Sequence, residues 1–501
     1  MLKLFVSFLL FVLANCLNAG LSYSQITYSG VIQDEQTKEP LPFTNIRIVN
    51  KASGTVSNIE GYFVLNLQAT AFHDTIEFSY LGYKNVKLIA SKLESLPVIY
   101  MSPAPVFLGE VLVGSKDLST EEILKLVRKN FLVNYSSTPQ KQRIFYHRFE
   151  KVPFKKENRF ILKKSDVPGI NKKTIENLLR KIPADFIGIQ DAVVDLYNVK
   201  EHYKLVPIKG ISLEETSQQD LLNEIENKLG GLIEDIERSN SDPFIYYKFR
   251  TGILSHKLEN DSEKESPWKS FKQDSLNYTV QTDLVKGEIL YLLNEYANIE
   301  SKNWEFINQE NKYTYVKEDV QYLNDELIYK IAFKPKKNGL FEGFMYVSTS
   351  TYAVLQLDFA YAIDKQTERF ELFGIGHSMN LKQGRVIFEK GSSGYYAKYI
   401  YAKQNESISV DRNFSIIKKQ KRFLFDKELN EMKFETQISL ELENIWEILV
   451  LNQENINSDQ YNKTFQPPNI KFKKELAYST EVWENNTVLA PVTELKRYKR
   501  K

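Results

Sequence analysis

The chain has 501 residues, which suits two or three domains better than one ordinary hydrophobic core. Hydrophobic residues make up 42% of it and charged residues 26%, which is a globular rather than a disordered composition. The 66 basic and 64 acidic side chains leave a net charge of only +2, which excludes a global field that would attract nucleic acid or an anionic membrane. Aromatic residues, at 13%, favour a β-rich protein, because their rings pack well on pleated sheets.

Residues 1–24 have the organisation of a secretory signal peptide. Lys3 supplies the positive start, residues 4–13 are a short apolar run, and Ser22 and Ser24 are the small residues that a signal peptidase reads. An uncleaved anchor helix is the alternative, but this run is shorter than the ~20 residues that span a bilayer. We therefore expect cleavage after Ser24 and no transmembrane helix in the mature chain.

Cys16 is the only cysteine, and it lies inside this leader. The stretch LANC partly resembles a bacterial lipoprotein box, although Asn15 occupies the place usually held by a small residue. Cleavage after Ser24 leaves a mature chain without a thiol, which excludes disulfides, thiolate nucleophiles and cysteine metal sites. A lipoprotein modified at Cys16 is the alternative.

From residue 26, short β segments alternate with turn signals at residues 37–40, 51–54 and 60–61. This spacing predicts a small antiparallel sandwich, and Gly61 stands where a tight turn needs a residue without a Cβ. The apolar residues of these segments recur with a period of two, which places them on one face of each strand. They are Ile46 and Ile48, then Phe63, Leu65 and Leu67.

Three stretches in this region, GVIQDEQTKEPLPFTNI, GTVSNIEGYFVL and IEFSYLGYKNVKL, occur in this order over residues 30–88. They resemble the carboxypeptidase-regulatory-like domain, a transthyretin-like β-sandwich common in exported Bacteroidota proteins. The resemblance implies a sandwich over residues 25–104, with Phe78 or Tyr80 in its core and a turn at Gly82. It implies no chemistry, because such domains carry neither zinc nor a nucleophile.

Residues 105–118 are expected to be a linker or a final strand. Their stretch PVFLGEVLVG resembles the segment that follows this domain in TonB-dependent outer-membrane receptors. Too little chain follows for a plug and a barrel of about 22 strands.

Residues 119–310 are expected to be a mixed α/β segment. Ser119 and Glu122 form a capping box, followed by apolar residues at helical spacing, which predicts a helix over residues 119–132. The stretch QRIFYHRFEKV then alternates like a strand, and residues 165–240 are predicted to be more helical. The clearest helix there spans residues 214–239, although Gly230 and its neighbour Gly231 weaken it and allow a break. Residues 256–275 are polar and predict an exposed loop.

Residues 311–480 alternate repeatedly and predict an up-and-down antiparallel meander, with a turn at Asn324 and Asp325. A sheet that is apolar on one face must curl over a helix or close on itself. The residues expected to line the concave side are Phe333, Phe344, Tyr346 and Leu355. Either helices fill that concavity, or a cavity on the order of hundreds of Å³ remains for a lipid or peptide.

The fold class is therefore mainly β with α insertions: an N-terminal transthyretin-like β-sandwich, then an α+β region with a curved antiparallel meander. Residues 481–501 form a basic C-terminal tail. Residues 119–450 also resemble, loosely, uncharacterised Bacteroidota envelope proteins that pair the same sandwich with a β-rich region. Part of the meander resembles the curved sheets of periplasmic lipoprotein carriers. Neither resemblance transfers a functional residue.

Motifs that carry chemistry are absent from the sequence, so no catalytic, cofactor-binding or metal residue is predicted. The stretch GIGHS (374–378) lacks the third glycine of a phosphate-binding loop. The stretch SIIK (415–418) is predicted to be a strand, which would place Ser415 and Lys418 on opposite faces. His147 is interpreted as a half-buried strand residue rather than a base. His73, His202, His256 and His377 lack metal-ligand spacing, and the acid pairs Asp220 with Glu224 and Glu234 with Glu237 suit a solvated helix face.

These observations favour an exported, non-enzymatic envelope protein, located in the periplasm or associated with the outer membrane. Its expected partners are another envelope protein, a glycan, a lipid or a peptide, and not nucleic acid. One alternative is a hydrolase or peptidase-associated protein whose site is assembled from distant residues. Another is a small outer-membrane barrel, which the basic end KRYKRK and the strand residues Lys330, Lys398 and Lys403 disfavour.

N-terminal sequencing of the protein from its native envelope tests the leader. We expect the mature chain to begin at Gln25, because Ser22 and Ser24 suit the peptidase. A mature chain that begins at a lipid-modified Cys16 would contradict this and identify a lipoprotein.

Overall fold

The computed structural model describes residues 25–501 except 52, 105–117, 136–138, 215, 240, 253, 259–276, 324–325, 476, 484–487, 494 and 496–501. The predicted leader with Cys16 lies outside the described residues. So do nearly all of the predicted linker, the predicted turn at 324–325, most of the predicted polar loop and most of the basic end.

The fold consists of two packed parts, an N-terminal β-sandwich and a large sheet with helices. The strands are, in chain order, β1 Gln25–Asp34, β2 Asn45–Ile48, β3 Gly54–Val56, β4 Tyr62–Gln68, β5 Thr75–Ser79, β6 Val86–Ile89, β7 Val98–Met101, β8 Gln140–Pro153, β9 Arg159–Ser165, β10 Asp185–Val199, β11 His202–Glu214, β12 Ile245–Thr251, β13 Leu254–Leu258, β14 Asn277–Gln281, β15 Tyr313–Leu323, β16 Glu326–Pro335, β17 Phe341–Ser348, β18 Val354–Tyr361, β19 Thr367–Leu372, β20 Ile375–Gly391, β21 Gly394–Gln420, β22 Lys427–Asn455 and β23 Asn469–Glu475. The helices are α1 Thr120–Asn134, α2 Lys172–Leu179, α3 Thr216–Ser239, α4 Thr282–Ala297, α5 Glu305–Asn308 and α6 Ser458–Lys463.

The N-terminal part is a sandwich of two small sheets, as the sequence predicted, but it is not wholly antiparallel, because β7 pairs with β1 in parallel. One sheet has the order β4-β1-β7 and the other β3-β2-β5-β6. The alternating apolar residues Ile46, Ile48, Phe63, Leu65 and Leu67 are all buried between them. Phe78 is fully buried, with its ring centroid 5.6 Å from that of Phe63.

Both predicted glycine turns are present, because Gly61 and Gly82 each have φ of 77°, a conformation that residues with a Cβ rarely adopt. Gly82 lies in the turn between β5 and β6, as the resemblance implied. Tyr80, next to this turn, is partly buried against the sandwich core.

The second part is one 16-stranded sheet with the main order β14-β23-β11-β10-β8-β22-β21-β20-β18-β17-β16-β15. The predicted meander is present in the antiparallel runs β15 to β18 and β20 to β22. Strands β8, β10 and β11 come from the segment that the sequence assigned as mixed α/β, yet they pair within this same sheet. The division near residue 310 therefore does not separate two sheets.

Helix α1 begins as the sequence predicted. The Ser119 hydroxyl accepts a hydrogen bond from the Glu122 backbone N–H, and the Glu122 carboxylate accepts one from the Ser119 N–H. The prediction that residues 165–240 are more helical was wrong in part, because β10 and β11 form a long hairpin in their middle. Apolar residues at a period of two fix this hairpin between neighbouring strands. Helix α3 is continuous through Gly230 and Gly231.

The central strands are buried on both faces, whereas the sequence predicted a sheet that is apolar on one. Tyr146, Val194 and Ile448 face a core formed with α1 and α4, and their neighbours face the opposite way. Those neighbours, Phe145, Val193 and Leu449, contact residues of the sandwich and the C-terminal segment. In each strand, one residue of a neighbouring pair is therefore apolar because it faces the helices, and the other because it faces the sandwich and the C-terminal segment.

The prediction for the concave side was half wrong. Phe333 and Leu355 lie in the core under the helices, so helices fill that side. Phe344 and Tyr346 project from the other face of β17, because Phe344 pairs with Ala332, the neighbour of Phe333. They are nevertheless packed with the same core, in which Tyr346 is 5% exposed. Within the described residues, every helix is too short or too polar to cross a membrane.

Replacement of Phe78 tests whether residues 26–102 fold as an independent sandwich. We expect a fragment of these residues to unfold cooperatively in urea, and Phe78→Ala to lower its free energy of unfolding by about 3–5 kcal/mol, because the change leaves a cavity in the core. Phe72→Ala is the control, because Phe72 is exposed and should lose less than about 1 kcal/mol. Circular dichroism gives both values, and equal losses would contradict the assigned core.

Candidate functional site

A cavity of about 360 Å³ lies where the sandwich meets the large sheet. Its floor consists of alternate residues of β8, β10 and β22, on the face that points away from the helices. Its walls come from the sandwich and from the C-terminal segment. The lining residues are Phe43, Asn58, Ile59, Glu60, Phe145, His147, Phe149, Lys151, Ile187, Ile189, Asp191, Tyr401, Glu443, Ile445, Glu447, Tyr478, Leu489, Ala490, Pro491, Val492 and Leu495. We call it the junction cavity.

One row of the floor is polar. Asp191 pairs directly with His147 across β10 and β8, and His147 pairs with Glu447 across β8 and β22. Paired residues on neighbouring antiparallel strands point to the same side, so the three side chains stand next to one another. We call them the polar row.

The next two rows follow the same register. Ile189, Phe149 and Ile445 form an apolar row beside the polar one. Beyond it, Lys151 pairs with Ile187 on one side and with Glu443 on the other. The floor therefore changes from charged to apolar and back to charged.

The C-terminal segment is fastened across the cavity by the sandwich. The Asn58 amide donates to the backbone oxygens of Ala490 and Pro491, at 3.1 and 3.2 Å. The Glu60 carboxylate accepts from the Thr493 backbone N–H at 2.9 Å and from its hydroxyl at 2.8 Å. These bonds place Leu489 in the core that also contains Phe145, so sandwich, sheet and C-terminal segment enclose the cavity together.

The polar row is tightly bonded. His147 Nδ1 lies 2.6 Å from Asp191 Oδ1, and the side chains are 14% and 1% exposed. The Tyr399 hydroxyl donates a hydrogen bond to the Glu447 carboxylate. With Nδ1 held by Asp191, Nε2 is the ring nitrogen that remains for a ligand in the cavity.

Burial and neighbouring charges shift the protonation of this row. Burial by itself lowers the pKa of His147, but the carboxylates of Asp191 and Glu447 outweigh it, and the pKa rises above its ordinary value of 6.5. Burial raises the pKa of Glu447, and His147 and Tyr399 oppose that rise only in part. The row therefore holds an imidazole that binds its proton more readily than usual beside a carboxyl that does the same.

This arrangement can donate and accept hydrogen bonds and can move a proton, but it lacks the other parts of common active sites. None of the described lining residues is serine, threonine or cysteine. In the part of the chain that the structure describes, no group of three histidine, cysteine or acidic residues is arranged to hold a metal ion.

Other residues that the sequence singled out lie on or next to strands β20 and β21. Residues 374–378 form the turn and first residues of β20, and Gly374 has φ of 74°. Ser415 and Lys418 lie on strand β21, as predicted, and Lys418 contacts Asp235 at 2.6 Å. His377 bonds Glu406 on the neighbouring strand at 3.0 Å. These residues lie outside the lining of the junction cavity.

The remaining singled-out residues lie on the surface. His73, His202 and His256 are exposed. Of the acidic residues on α3, Glu224 contacts Lys181 at 2.5 Å, and Asp220 and Glu234 are exposed. Their positions agree with the predicted solvated face of the helix.

Sequence reasoning recognised His147 as a half-buried strand residue, but it missed Asp191 and Glu447. A signal was present in each strand. His147 stands between Phe145 and Phe149 at a period of two, and the same spacing places Asp191 and Glu447 between apolar residues. In each of the three strands, a charged residue occupies a position where the period of two predicts an apolar one. Once the pairing of the strands is known, these three positions indicate a buried polar site.

Comparison with known proteins identifies the sandwich. Residues 28–113 match the CarboxypepD_reg-like domain. This match confirms the resemblance that the sequence showed for this part of the chain. None of the curated proteins compared with the chain matches it.

Asp191→Asn tests the electrostatics of the polar row. We expect the wild-type His147 pKa to lie above 6.5 and the variant's to be lower, because the neutral amide no longer stabilises the imidazolium. Titration of the histidine ring protons by NMR gives both values. His377 is the internal control, because its raised pKa depends first on Glu406 and should not change.

The same shift predicts how stability depends on pH. A raised folded-state pKa means that protonated His147 stabilises the fold below its unfolded pKa, and that this contribution is lost as the pH rises through the folded value. The loss of unfolding free energy in His147→Gln should therefore be larger in acid than in alkali. A loss that grows with pH would contradict the assignment.

Proposed function

We propose that this protein is an exported envelope protein that binds a small ligand in the junction cavity. The ligand has an apolar body, which the row of Ile189, Phe149 and Ile445 contacts, and one polar end, which the polar row receives. The observation that carries the proposal is a buried histidine and two acidic residues at the base of a mostly apolar cavity. The leader and the sandwich resemblance support export and a place in the envelope of a Bacteroidota cell.

The polar row costs stability, which supports a role in binding. Burying Asp191 and His147 removes their hydration, and apolar residues at these positions would hold the sheet without that cost. Their neighbours at a period of two, such as Phe145 and Val193, are apolar and fully packed. Ionisable groups with shifted pKa values in a cavity are typical of functional sites.

The shape of the cavity favours some ligands over others. Its volume of about 360 Å³ lies at the lower end of the range of about 300–1,000 Å³ for ligand pockets. The apolar middle row disfavours a glycan, whose hydroxyls would lose their hydrogen bonds there. An acyl chain or an apolar peptide end fits better, because it offers one polar group to Nε2 of His147 and apolar atoms elsewhere.

A hydrolase is the second candidate. Asp191 orients His147 as a carboxylate orients a general base, and Glu447, with its raised pKa, suits a general acid. Against it, the described lining residues include no hydroxyl or thiol nucleophile other than tyrosine. The binding proposal therefore requires no nucleophile that the described lining lacks.

Native mass spectrometry of the protein purified from its own envelope tests the proposal. We expect a reproducible co-purifying ligand with the wild type and its loss in Ile445→Trp, because the indole fills the apolar row. Ile438→Trp is the matched control, because Ile438 lies on the same strand, half-buried and outside the cavity lining, and should retain the ligand.

Two outcomes would count against binding. A wild-type protein that carries no ligand would contradict the proposal, as would a ligand that Ile445→Trp retains. The hydrolase alternative predicts a chemically altered product that His147→Gln cannot form, whereas binding predicts that the ligand is recovered unchanged.

A further inference from the structure

The turn between β21 and β22, residues 421–426, exposes three consecutive large apolar side chains. Phe423 is 99% exposed, Leu424 78% and Phe425 86%. These two strands are the longest in the structure, with 27 and 29 residues, and the turn lies at their far end. Exposed apolar residues scattered singly are ordinary, but three together at the end of a long hairpin indicate a contact surface. We call residues 421–426 the hairpin tip.

Hydrogen bonds hold the two ends of the hairpin tip. Asp426 accepts a hydrogen bond from the Arg422 backbone N–H at 3.4 Å and one from the Tyr246 hydroxyl at 2.6 Å. The Lys421 backbone N–H donates to the oxygen of Phe244 at 2.7 Å, and the Phe244 side chain is itself exposed. Ends that are already hydrogen-bonded lose less conformational entropy when the tip binds.

Cations surround the apolar tip. Lys421, Arg422 and Lys427 are exposed, and none forms an ion pair with any residue that the structure describes. An open groove of about 500 Å³ beside the tip is lined by Tyr246, Lys248, Ser255, Lys257, Lys421, Arg422 and Asp426.

The nearby carboxylates do not cancel this charge. Asp426 keeps its negative charge, because the hydrogen bond from Tyr246 lowers its pKa, but the groove lining sets four cations, Lys248, Lys257, Lys421 and Arg422, against it. Glu428 lies 3.4 Å from Arg250 and 3.3 Å from Lys419. The surroundings of the tip therefore keep an excess of positive charge, although the whole chain is nearly neutral.

We propose that the hairpin tip docks this protein onto an anionic lipid bilayer. The aromatic and leucine side chains enter the interface between headgroups and acyl chains, and the surrounding lysines and arginine contact the lipid phosphates. Basic and apolar residues together match such a surface, which offers negative charge at the level of the headgroups and hydrocarbon just below.

A protein partner fits the tip less well. A stable protein interface buries about 800 Å² on each partner, whereas a large aromatic side chain buries about 150–250 Å². Three side chains at a narrow turn therefore fall short of a stable interface. A bilayer needs no complementary shape, because the tip can enter it to a depth of about 5–10 Å.

Docking at the tip is independent of the junction cavity. Glu447 in the polar row and Lys427 next to the tip lie on the same strand, separated by about 65 Å of extended chain. A bilayer at the tip therefore leaves the cavity accessible, and either proposal can fail without the other.

Cosedimentation with vesicles tests the docking. We expect the full-length protein to bind phosphatidylcholine vesicles that contain phosphatidylglycerol, and to bind pure phosphatidylcholine vesicles much more weakly. The variant F423S/L424S/F425S should lower the affinity at least about tenfold, because less apolar surface is buried. The variant K421E/R422E should lower it by about 30-fold or more, because two cations near the headgroups are lost.

Matched variants control for surface changes elsewhere. The variant I363S/F465S removes two apolar side chains that are 84% and 76% exposed in other loops. The variant K336E/K337E reverses two adjacent exposed lysines in the turn between β16 and β17. Both should bind the vesicles as the wild type does.

Three results would overturn the proposal. The first is a wild-type protein that does not bind the anionic vesicles, and the second is binding that both tip variants retain. The third is self-association of the wild type in analytical ultracentrifugation that F423S/L424S/F425S abolishes, without vesicle binding, because the tip would then contact a second copy of this chain.

Discussion

The structure depends on the coverage of the central sheet on both faces. Strands β8, β10, β21 and β22 carry one set of side chains under helices α1 and α4, and the alternate set under the sandwich and the C-terminal segment. Each neighbouring pair, such as Phe145 and Tyr146, therefore divides between two cores. Burial of both faces stabilises the strands and also holds the sandwich against the sheet, through the sandwich residues Val56 and Phe43.

The polar row interrupts this apolar packing on the sandwich side. Asp191, His147 and Glu447 occupy positions where the same strands elsewhere carry large apolar residues, and the cover above them leaves a cavity. Mutual hydrogen bonds and opposite charges offset part of the cost of their burial. The ligand-binding proposal depends on this local exception and not on the family of the sandwich.

The long hairpin of β21 and β22 contributes both to the junction cavity and to the hairpin tip. Around Glu447, the hairpin forms the floor of the junction cavity. Its far half packs with α2 and α3 in a small core of its own. Beyond that core, the hairpin tip exposes apolar and basic side chains together. A net charge of +2 excludes long-range attraction by the whole molecule, but it leaves room for a local cluster of cations within a Debye length of about 10 Å.

Local patterns in the sequence determined the sandwich, helix α1 and the existence of a β-meander. The capping box at Ser119, the glycine turns and the period-two segments each depend on residues a few positions apart, so a single sequence reveals them. Which face of a strand is covered, and by what, depends on residues far along the chain. Phe344 was therefore placed on the wrong side, and the β10–β11 hairpin was assigned to a region predicted to be more helical.

The polar row and the hairpin tip required the tertiary structure for the same reason. His147 and Asp191 are 44 residues apart and become neighbours only through strand register, and Glu447 joins them from the far end of the chain. The exposure of Phe423 likewise follows from the absence of a described element over the tip, which an apolar stretch of sequence does not reveal. The sequence by itself determined the strands of the sandwich, helix α1 and the strands of the meander, because those patterns are local. The tertiary structure decided which side chains meet, because pairing between distant strands sets their faces and their neighbours.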